Sequence, residues 1–228
     1  GLCAKPIIDI MPDINFIHGY FDGHSDDPNA RFLSFDICHN YFINHKGVAS
    51  RPENINESVM TLWGYLSSWG MLRGSGALHN KNPYYLKGAI EVIDKYGGLF
   101  DVDLPDYPER GDLIVKCYDD LESCMTIEGA AKKDSTIPSQ LLITKIMFGV
   151  FSCIPAIDVN VWNYFKGIGS LRTIHKAVET FGTFYVSHKD LLKTRMITTS
   201  DWNGQPYERR FNSARLLDMY AYSEGQSK

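Results

Sequence analysis

The chain has 228 residues, of which 44% are hydrophobic and 22% are charged, a composition typical of a globular, water-soluble domain. It has no run of 18 apolar residues, so no transmembrane helix is predicted. Five cysteines at irregular spacing match neither a disulfide framework nor a CxxC metal motif. Because no signal-peptide pattern is visible, we expect a cytoplasmic protein with reduced thiols.

The net charge of −4 is unevenly distributed along the chain. Residues 94–128 hold ten acidic and three basic residues, and the remainder holds 17 acidic and 20 basic residues. Residues 186–215 contain six basic and three acidic residues. The acidity is therefore local, and a basic surface suited to nucleic acid is compatible with the rest of the chain.

Helical periodicity recurs along the chain after a proline-rich and turn-rich segment at residues 1–30. The best-bounded helix is "NPYYLKGAIEVIDKYGG", where Asn82 can cap, Pro83 fits the first turn and Gly97 ends the helix. Apolar residues at helical spacing also predict helices within 31–44, 56–69, 112–124, 138–151, 156–169, 170–182, 187–196 and 212–222.

Strand signals are scarce, and "DWNGQPY" at 201–207 is interpreted as a polar loop. The sequence therefore predicts an all-α fold of about eight helices. We expect a single globular unit, for which two helical lobes around a cleft, about 31–111 and 112–228, are one arrangement.

The stretch "CIPAIDVNVW" places a single carboxylate, Asp158, among apolar residues at the start of a predicted helix. Aspartate at this position typically caps the helix, and that role alone would explain it. The preceding stretch, 138–151, is apolar almost all round, which is typical of a buried helix. Lys145 lies on it with no acid three or four residues away. Either its stem carries the charge to the surface, or the helix lines a cleft.

A buried helix, a short loop, "IPAIDVNVW" and a following helix resemble the core of the helix-hairpin-helix DNA glycosylases, over about forty residues from Ser135 to Leu171. The resemblance implies an all-α fold like that of 8-oxoguanine glycosylases and a catalytic role for Asp158. "STIPSQ" stands where the family has a glycine-rich hairpin. The nucleophilic lysine of bifunctional members would fall near Ser139–Gln140. The resemblance therefore implies a monofunctional enzyme, or another catalytic role for Lys145.

The implied reaction is hydrolysis of the N-glycosidic bond of a damaged or modified base flipped out of double-stranded DNA. Positive charge builds on the sugar in such a reaction, and a nearby carboxylate stabilises this charge and orients water. No cofactor or metal is implied, and we expect a monomer. A modified phage base excised as antiphage defence is one substrate compatible with the resemblance, and repair of damaged bases is the other.

Other residues have the chemistry to hold such a substrate, although the same residue types are common in cores and on solvated faces. Trp69, Phe35 and Trp162 could stack on a base, and Arg73 lies in a Gly/Ser-rich turn suited to a phosphate or a base edge. Asp36 and Asn40 share a helix face and could read a base edge. Gln140 is a further substrate-binding candidate, and the DNA-binding candidates are Ser139, Arg209, Arg210 and Arg215.

Two other functions are compatible with the sequence. The loop "HGYFDGHSDD", within His18–Asp27, offers imidazole and carboxylate groups that suit zinc or manganese in a metal-dependent hydrolase. A non-catalytic helical interaction module is the other alternative. No HExxH motif, P-loop, GxSxG elbow or dinucleotide fingerprint is present. A folded but inactive Asp158→Asn variant would distinguish the glycosylase from the interaction module, for which only stability would change.

Overall fold

The computed structural model of the protein describes residues 29–31, 33–74, 76–190, 192 and 198–227. Within these ranges the chain forms eight α-helices, which confirms the predicted all-α fold. The helices are α1 (Leu33–Asn44), α2 (Ile55–Ser68), α3 (Lys87–Lys95), α4 (Tyr107–Met125), α5 (Gln140–Phe151), α6 (Val159–Phe165), α7 (Ile174–Ser187) and α8 (Ser213–Gly225). Two short strands, β1 (Thr198–Ser200) and β2 (Pro206–Arg210), pair antiparallel.

One cluster of buried side chains includes members of all eight helices. Helix α5 is central to it, because every residue from Leu142 to Phe151 is buried, as the sequence predicts. Helix α6 packs most extensively against α8, while α1 packs against both α2 and α5. Both ranges expected as lobes, 31–111 and 112–228, contribute to this cluster, and their division around a cleft stays a prediction.

Polar side chains cap several helices where the sequence places suitable residues. Asn82 accepts a hydrogen bond from the Tyr84 amide at 2.9 Å and starts the 3-10 turn Pro83–Leu86, which leads into α3. Ser139 caps α5 by accepting from the Leu142 amide at 3.1 Å. Local sequence therefore determines where these helices begin.

Helix α7 is longer than the sequence predicts. The pattern indicates an end at Gly182 and a new helix from Ser187, whereas α7 continues through Gly182 and ends at Ser187. Phe181 and Phe184, on either side of this glycine, are both buried. The apolar face of the helix thus continues past Gly182, and its burial outweighs the weak helix propensity of one glycine.

Residues 201–205 of "DWNGQPY" form a loop as predicted, but Pro206 and Tyr207 belong to β2, and the hairpin that this loop closes between β1 and β2 was not predicted. The Asp201 amide donates to the Gln205 carbonyl at 2.8 Å, and Gly204 has a φ of 74°. Glycine adopts this left-handed conformation without the steric cost that other residues incur. The Asn203-Gly204 dipeptide is therefore the local signal for the turn.

The close approach of α2 and α5 depends on Gly149. A Cβ atom at this position would lie 2.3 Å from Cε1 of Tyr65, a residue that is almost fully buried. We expect Gly149→Ala to lower the free energy of unfolding by about 1–3 kcal/mol, because the two helices would have to separate. Urea denaturation monitored by circular dichroism measures this loss.

Gly64→Ala is the matched control for this prediction. Gly64 lies within α2, and a Cβ there would meet nothing within 4 Å. We expect this change to raise the free energy of unfolding by about 0.5–1 kcal/mol, because alanine is the better helix former. If Gly149→Ala is also neutral or stabilising, the helices do not depend on this glycine for their approach.

Candidate active site

A cavity of about 60 Å³ lies among α1, α5, α8, the end of α2 and the start of α6. Five residues selected from the sequence line it, namely Asp158, Lys145, Trp69, Phe35 and Arg215. The other lining residues are Arg31, Phe148, Asp218, Met219, Tyr222 and Ser223. Arg31 is exposed, so the cavity reaches the surface on its side.

Asp158 is the N-cap residue of α6, as predicted. Its Oδ1 accepts hydrogen bonds from the amides of Asn160 and Val161, both at 2.9 Å. Its Oδ2 has no hydrogen-bond donor among the described residues. The helix therefore occupies one carboxylate oxygen and leaves the other available to a ligand in the cavity.

Three helices fix the loop that carries Asp158. The Tyr107 hydroxyl on α4 donates to the Cys153 carbonyl at 2.7 Å. The Ile157 amide donates to Thr144 Oγ1 on α5 at 3.0 Å. The Ala156 amide donates to Asp218 Oδ1 on α8 at 2.8 Å. The loop begins at Ser152, which has a φ of 55°. The carboxylate of Asp158 is thus held in place before any ligand binds.

Lys145 lines the cavity and is only 7% exposed. Its Nζ lies 5.2 Å from the centroid of the Trp69 ring, and no carboxylate of a described residue lies within 4 Å of it. Lys145 therefore lies in the wall of this cavity, and both alternatives for its charge stay predictions. A buried lysine without an ion pair is unusual, and its charge is available to a ligand.

Trp69 forms an aromatic wall of the cavity and contacts two cations. The guanidinium carbon of Arg31 lies 4.8 Å from the Trp69 ring centroid, in addition to the contact with Lys145. Its Nε1 is buried and has no hydrogen-bond partner within the described part of the chain. Leaving such a donor unsatisfied costs about 1–3 kcal/mol, so this side chain retains an unused polar group.

Asp218 is the cavity residue that sequence reasoning missed. It is 9% exposed and accepts a hydrogen bond from the Ala156 amide. Burial raises the pKa of its carboxyl to about 7, the positive charge of Lys145 opposes this rise, and the negative charge of Asp158 adds to it. The available signal was an acid on the stretch "ARLLDMYAY" of α8, whose remaining residues apart from Arg215 are apolar or aromatic.

Asp36 and Arg215 form a buried ion pair that links α1 to α8. The Arg215 guanidinium also stacks on the rings of Phe35 and Phe211, 3.9 and 3.4 Å from their centroids. The second oxygen of Asp36 accepts from the Ser200 amide at 2.8 Å. This pairing commits Asp36 and Arg215 to each other, and neither offers a solvent-exposed group to a base edge or a phosphate.

Four of the site residues predicted from the sequence do not line the cavity, namely Asn40, Gln140, Ser139 and Trp162. Asn40 donates to the Ser200 carbonyl at 3.2 Å and thereby holds β1 against α1. Gln140 donates to the Leu171 carbonyl at 2.9 Å. Ser139 caps α5, and Trp162 packs against the core. Each of these side chains therefore has a structural contact that accounts for it.

The remaining arginine candidates differ in exposure. Arg73 and Arg210 are exposed, and both are accessible to a phosphate. Arg209 is partly buried, and it donates to His39 Nε2 at 2.9 Å and to the Phe100 carbonyl at 2.5 Å. Because Arg209 donates to Nε2, the His39 ring carries its proton on Nδ1, which donates to the Val150 carbonyl at 2.8 Å.

Asp218 makes the stability of the protein depend on pH. The ordinary pKa of 3.8 rises to about 7 in the folded state. The folded protein therefore holds a proton that the unfolded chain lacks, and this stabilisation is lost as pH rises through about 7. Relative to wild type, we expect Asp218→Asn to gain up to about 1.4 kcal/mol of unfolding free energy per pH unit between about pH 4 and 7. Urea denaturation across this range measures the gain.

His39 makes the free energy of unfolding depend on pH in the opposite direction to Asp218, so the Asp218→Asn variant has to be compared with wild type at each pH. Burial, reinforced by Arg209, lowers the His39 pKa from 6.5 to about 3. The unfolded chain then binds the extra proton, and stability is lost as pH falls below 6.5. In the wild type, the contributions of Asp218 and His39 to the pH dependence of the unfolding free energy oppose each other. The difference in unfolding free energy between wild type and Asp218→Asn contains only the contribution of Asp218. A difference that stays constant with pH would show that Asp218 titrates normally in the folded protein.

The chemistry of the cavity rests on the side chains described above. Among the described residues no group of three or more His, Cys, Asp or Glu side chains could hold a metal ion, and the His18–Asp27 loop lies outside those residues. No helix in the described ranges has the length and apolar character needed to cross a membrane. Neither protein-family models, nor curated proteins, nor solved structures give a match to this chain.

Proposed function

We propose that this protein is a DNA glycosylase that hydrolyses the N-glycosidic bond of a damaged or modified base. The observation that carries the proposal is the state of Asp158. A loop held by three helices fixes this residue, whose Oδ1 caps α6 while Oδ2 has no donor among the described residues. The same cavity holds a buried cation and an aromatic wall.

The proposed chemistry assigns Asp158 to the sugar. As the base departs, positive charge develops at C1′, and a fixed carboxylate stabilises that charge more effectively than water, which would have to reorient. Lys145 is the second catalytic residue of the proposal, because its ammonium can attract the electron-rich acceptor atoms of the departing base. Trp69 provides a ring surface on which a flipped base can stack.

Base binding requires the cavity to widen. Its volume of about 60 Å³ holds roughly four to six water molecules, which is less than a nucleobase needs. Trp69 and Tyr222 are partly exposed members of its wall, and rotation of these side chains would enlarge the opening. The loop of Asp158 can remain fixed during this change, so the carboxylate keeps its position while the base enters.

The proposed partner is double-stranded DNA bound by a monomer in the cytoplasm. Arg31 at the cavity opening, and Arg73 and Arg210 elsewhere on the surface, are exposed cations available to phosphates. Excision of a modified phage base and repair of a damaged base both use the same chemistry. The DNA from which the protein releases a base therefore distinguishes between these two roles.

The proposal is tested by counting abasic sites after incubation with different DNAs. The set comprises plain genomic DNA, phage DNA with modified cytosines, and duplexes that each carry one oxidised, deaminated or alkylated base. An aldehyde-reactive probe detects the product, and we expect abasic sites in at least one DNA. Their absence from every DNA would contradict the proposal and favour a non-catalytic interaction module.

A further inference from the structure

Asp218 is the second carboxylate of the cavity, and its surroundings differ from those of Asp158. It is 9% exposed, whereas Asp158 is more accessible. It accepts one amide hydrogen bond, from Ala156 to Oδ1, whereas Asp158 accepts two. No donor of a described residue hydrogen-bonds to Oδ2 of Asp218. The two carboxylates thus share one cavity but differ in hydration and in hydrogen bonding.

Charged and titratable groups approach Asp218 from the elements packed around it. They are Arg215 on the same helix, Tyr65 on α2, Lys145 on α5 and Asp158 at the start of α6. Arg215 is already paired with Asp36, and no cation of a described residue lies within 4 Å of the Asp218 carboxylate. Burial is therefore the dominant influence, and it raises the Asp218 pKa to about 7.

We propose that Asp218 is the proton donor to the departing base, while Asp158 stabilises the sugar cation. This inference rests on the proposed glycosylase function and assigns a second carboxylate to the same reaction. Oδ2 carries the proton, because Oδ1 accepts the hydrogen bond from Ala156. Two carboxyl groups in contrasting environments can divide acid and ionised roles in this way.

The proton balance follows from this assignment. The bond between C1′ and the base nitrogen breaks, and its electron pair remains with the base, which receives the proton of Asp218 on a nitrogen or oxygen atom. The oxygen of a water molecule bonds to C1′, and one proton of that water passes to Asp158 and then to solvent. Asp218, now ionised, regains a proton from solvent. One water is consumed, and the products are the free base and an abasic sugar.

Lys145 has a definite part in this step. Its positive charge acts on Asp218 and favours the ionised form of that carboxyl. The carboxylate formed by proton transfer is therefore stabilised by a cation within the same cavity. Burial keeps the acid protonated before the transfer, and Lys145 lowers the energy of the state that follows it.

The test compares single-turnover base release by wild type, Asp218→Asn and Glu224→Gln across a pH series. Asparagine retains an oxygen that accepts from the Ala156 amide but cannot donate an acidic proton. Glu224 lies on the same helix and is not a cavity-lining residue, so it is the matched control. One substrate is the duplex that yields abasic sites in the set above. The other contains N7-methylguanine, a base that already carries positive charge and leaves without an added proton.

We expect Asp218→Asn to slow release of the neutral base by about 10²–10⁴-fold and to abolish the fall in rate above about pH 7. Release of N7-methylguanine should change much less, and Glu224→Gln should match wild type. If Asp218→Asn keeps the wild-type rate and pH profile, Asp218 is not the proton donor, and the proposed glycosylase function is unaffected. If Asp218→Asn slows release of both bases equally and the pH profile is unchanged, Asp218 has a structural role and is not the proton donor. If wild type releases no base from any DNA, both proposals fail.

Discussion

Replacing Asp158 by asparagine is expected to slow base release by about 10³-fold or more, while the protein stays folded. Asparagine keeps an oxygen that can accept from the Asn160 and Val161 amides, and it is as favourable an N-cap as aspartate. The substitution therefore removes the negative charge and preserves the start of α6. Single-turnover kinetics on an active DNA, together with thermal unfolding of each variant, measures both parts of the prediction.

Two controls separate chemistry from capping. Asp158→Ala removes the cap as well as the charge, and we expect it to lose about 1 kcal/mol of stability in addition to activity. Asp119→Asn removes an exposed carboxylate on α4, outside the cavity, and should leave both properties unchanged. If Asp158→Asn is folded and as active as wild type, Asp158 serves only as a helix cap and the proposed chemistry is wrong.

Arg215→Ala is expected to lower the free energy of unfolding by about 3–5 kcal/mol, because it leaves Asp36 buried without its partner. The Asp36 side chain is 2% exposed, so water cannot replace the lost cation without opening the core. The rings of Phe35 and Phe211 also lose the guanidinium that stacks on them. Equilibrium urea denaturation at neutral pH measures the loss.

A double-mutant cycle shows whether the loss comes from the ion pair. Asp36→Ala alone is expected to be similarly destabilising, because it strands Arg215. The double variant Asp36→Ala/Arg215→Ala contains no unpaired charge, so it should lose clearly less than the sum of the two single variants. Additive losses would mean that the two side chains contribute independently and that their pairing does not determine the stability of this region.

Local features of the sequence were sufficient to predict the helices and part of the cavity. The cap at Asp158 and the burial of α5 follow from residue type and periodicity within about twenty positions, and these signals do not require knowledge of the tertiary fold. The full length of α7 is not predicted, because Gly182 weakens the local helix signal while the burial of Phe181 and Phe184 depends on the tertiary fold.

The hairpin was missed because polar contacts, rather than an alternating apolar face, attach it to the core. Thr199, at the centre of β1, is 1% exposed and donates to Asn40 and to the Arg209 carbonyl. Asp36 accepts from the amide of Ser200. Strand prediction depends on alternating hydrophobicity, which a hairpin held in this way does not show.

The pairing of Asp36 with Arg215 and the approach of Asp218 to Asp158 depend on tertiary packing. Asp36 and Arg215 are 179 positions apart, and Asp218 reaches Ala156 across 62 positions. Nothing in either local stretch specifies such a partner. Sequence reasoning therefore treated Asp36 and Arg215 as separate substrate contacts and did not select Asp218.

The three hydrogen bonds that fix the loop before Asp158 couple the candidate site to the cooperative core. They attach Cys153, Ala156 and Ile157 to α4, α8 and α5, so this loop cannot open locally without disturbing three packed helices. Loss of activity on heating should therefore coincide with global unfolding and should not precede it. A core substitution far from the cavity would reduce activity mainly by reducing the fraction of folded molecules, and the molecules that remain folded would keep an intact carboxylate position.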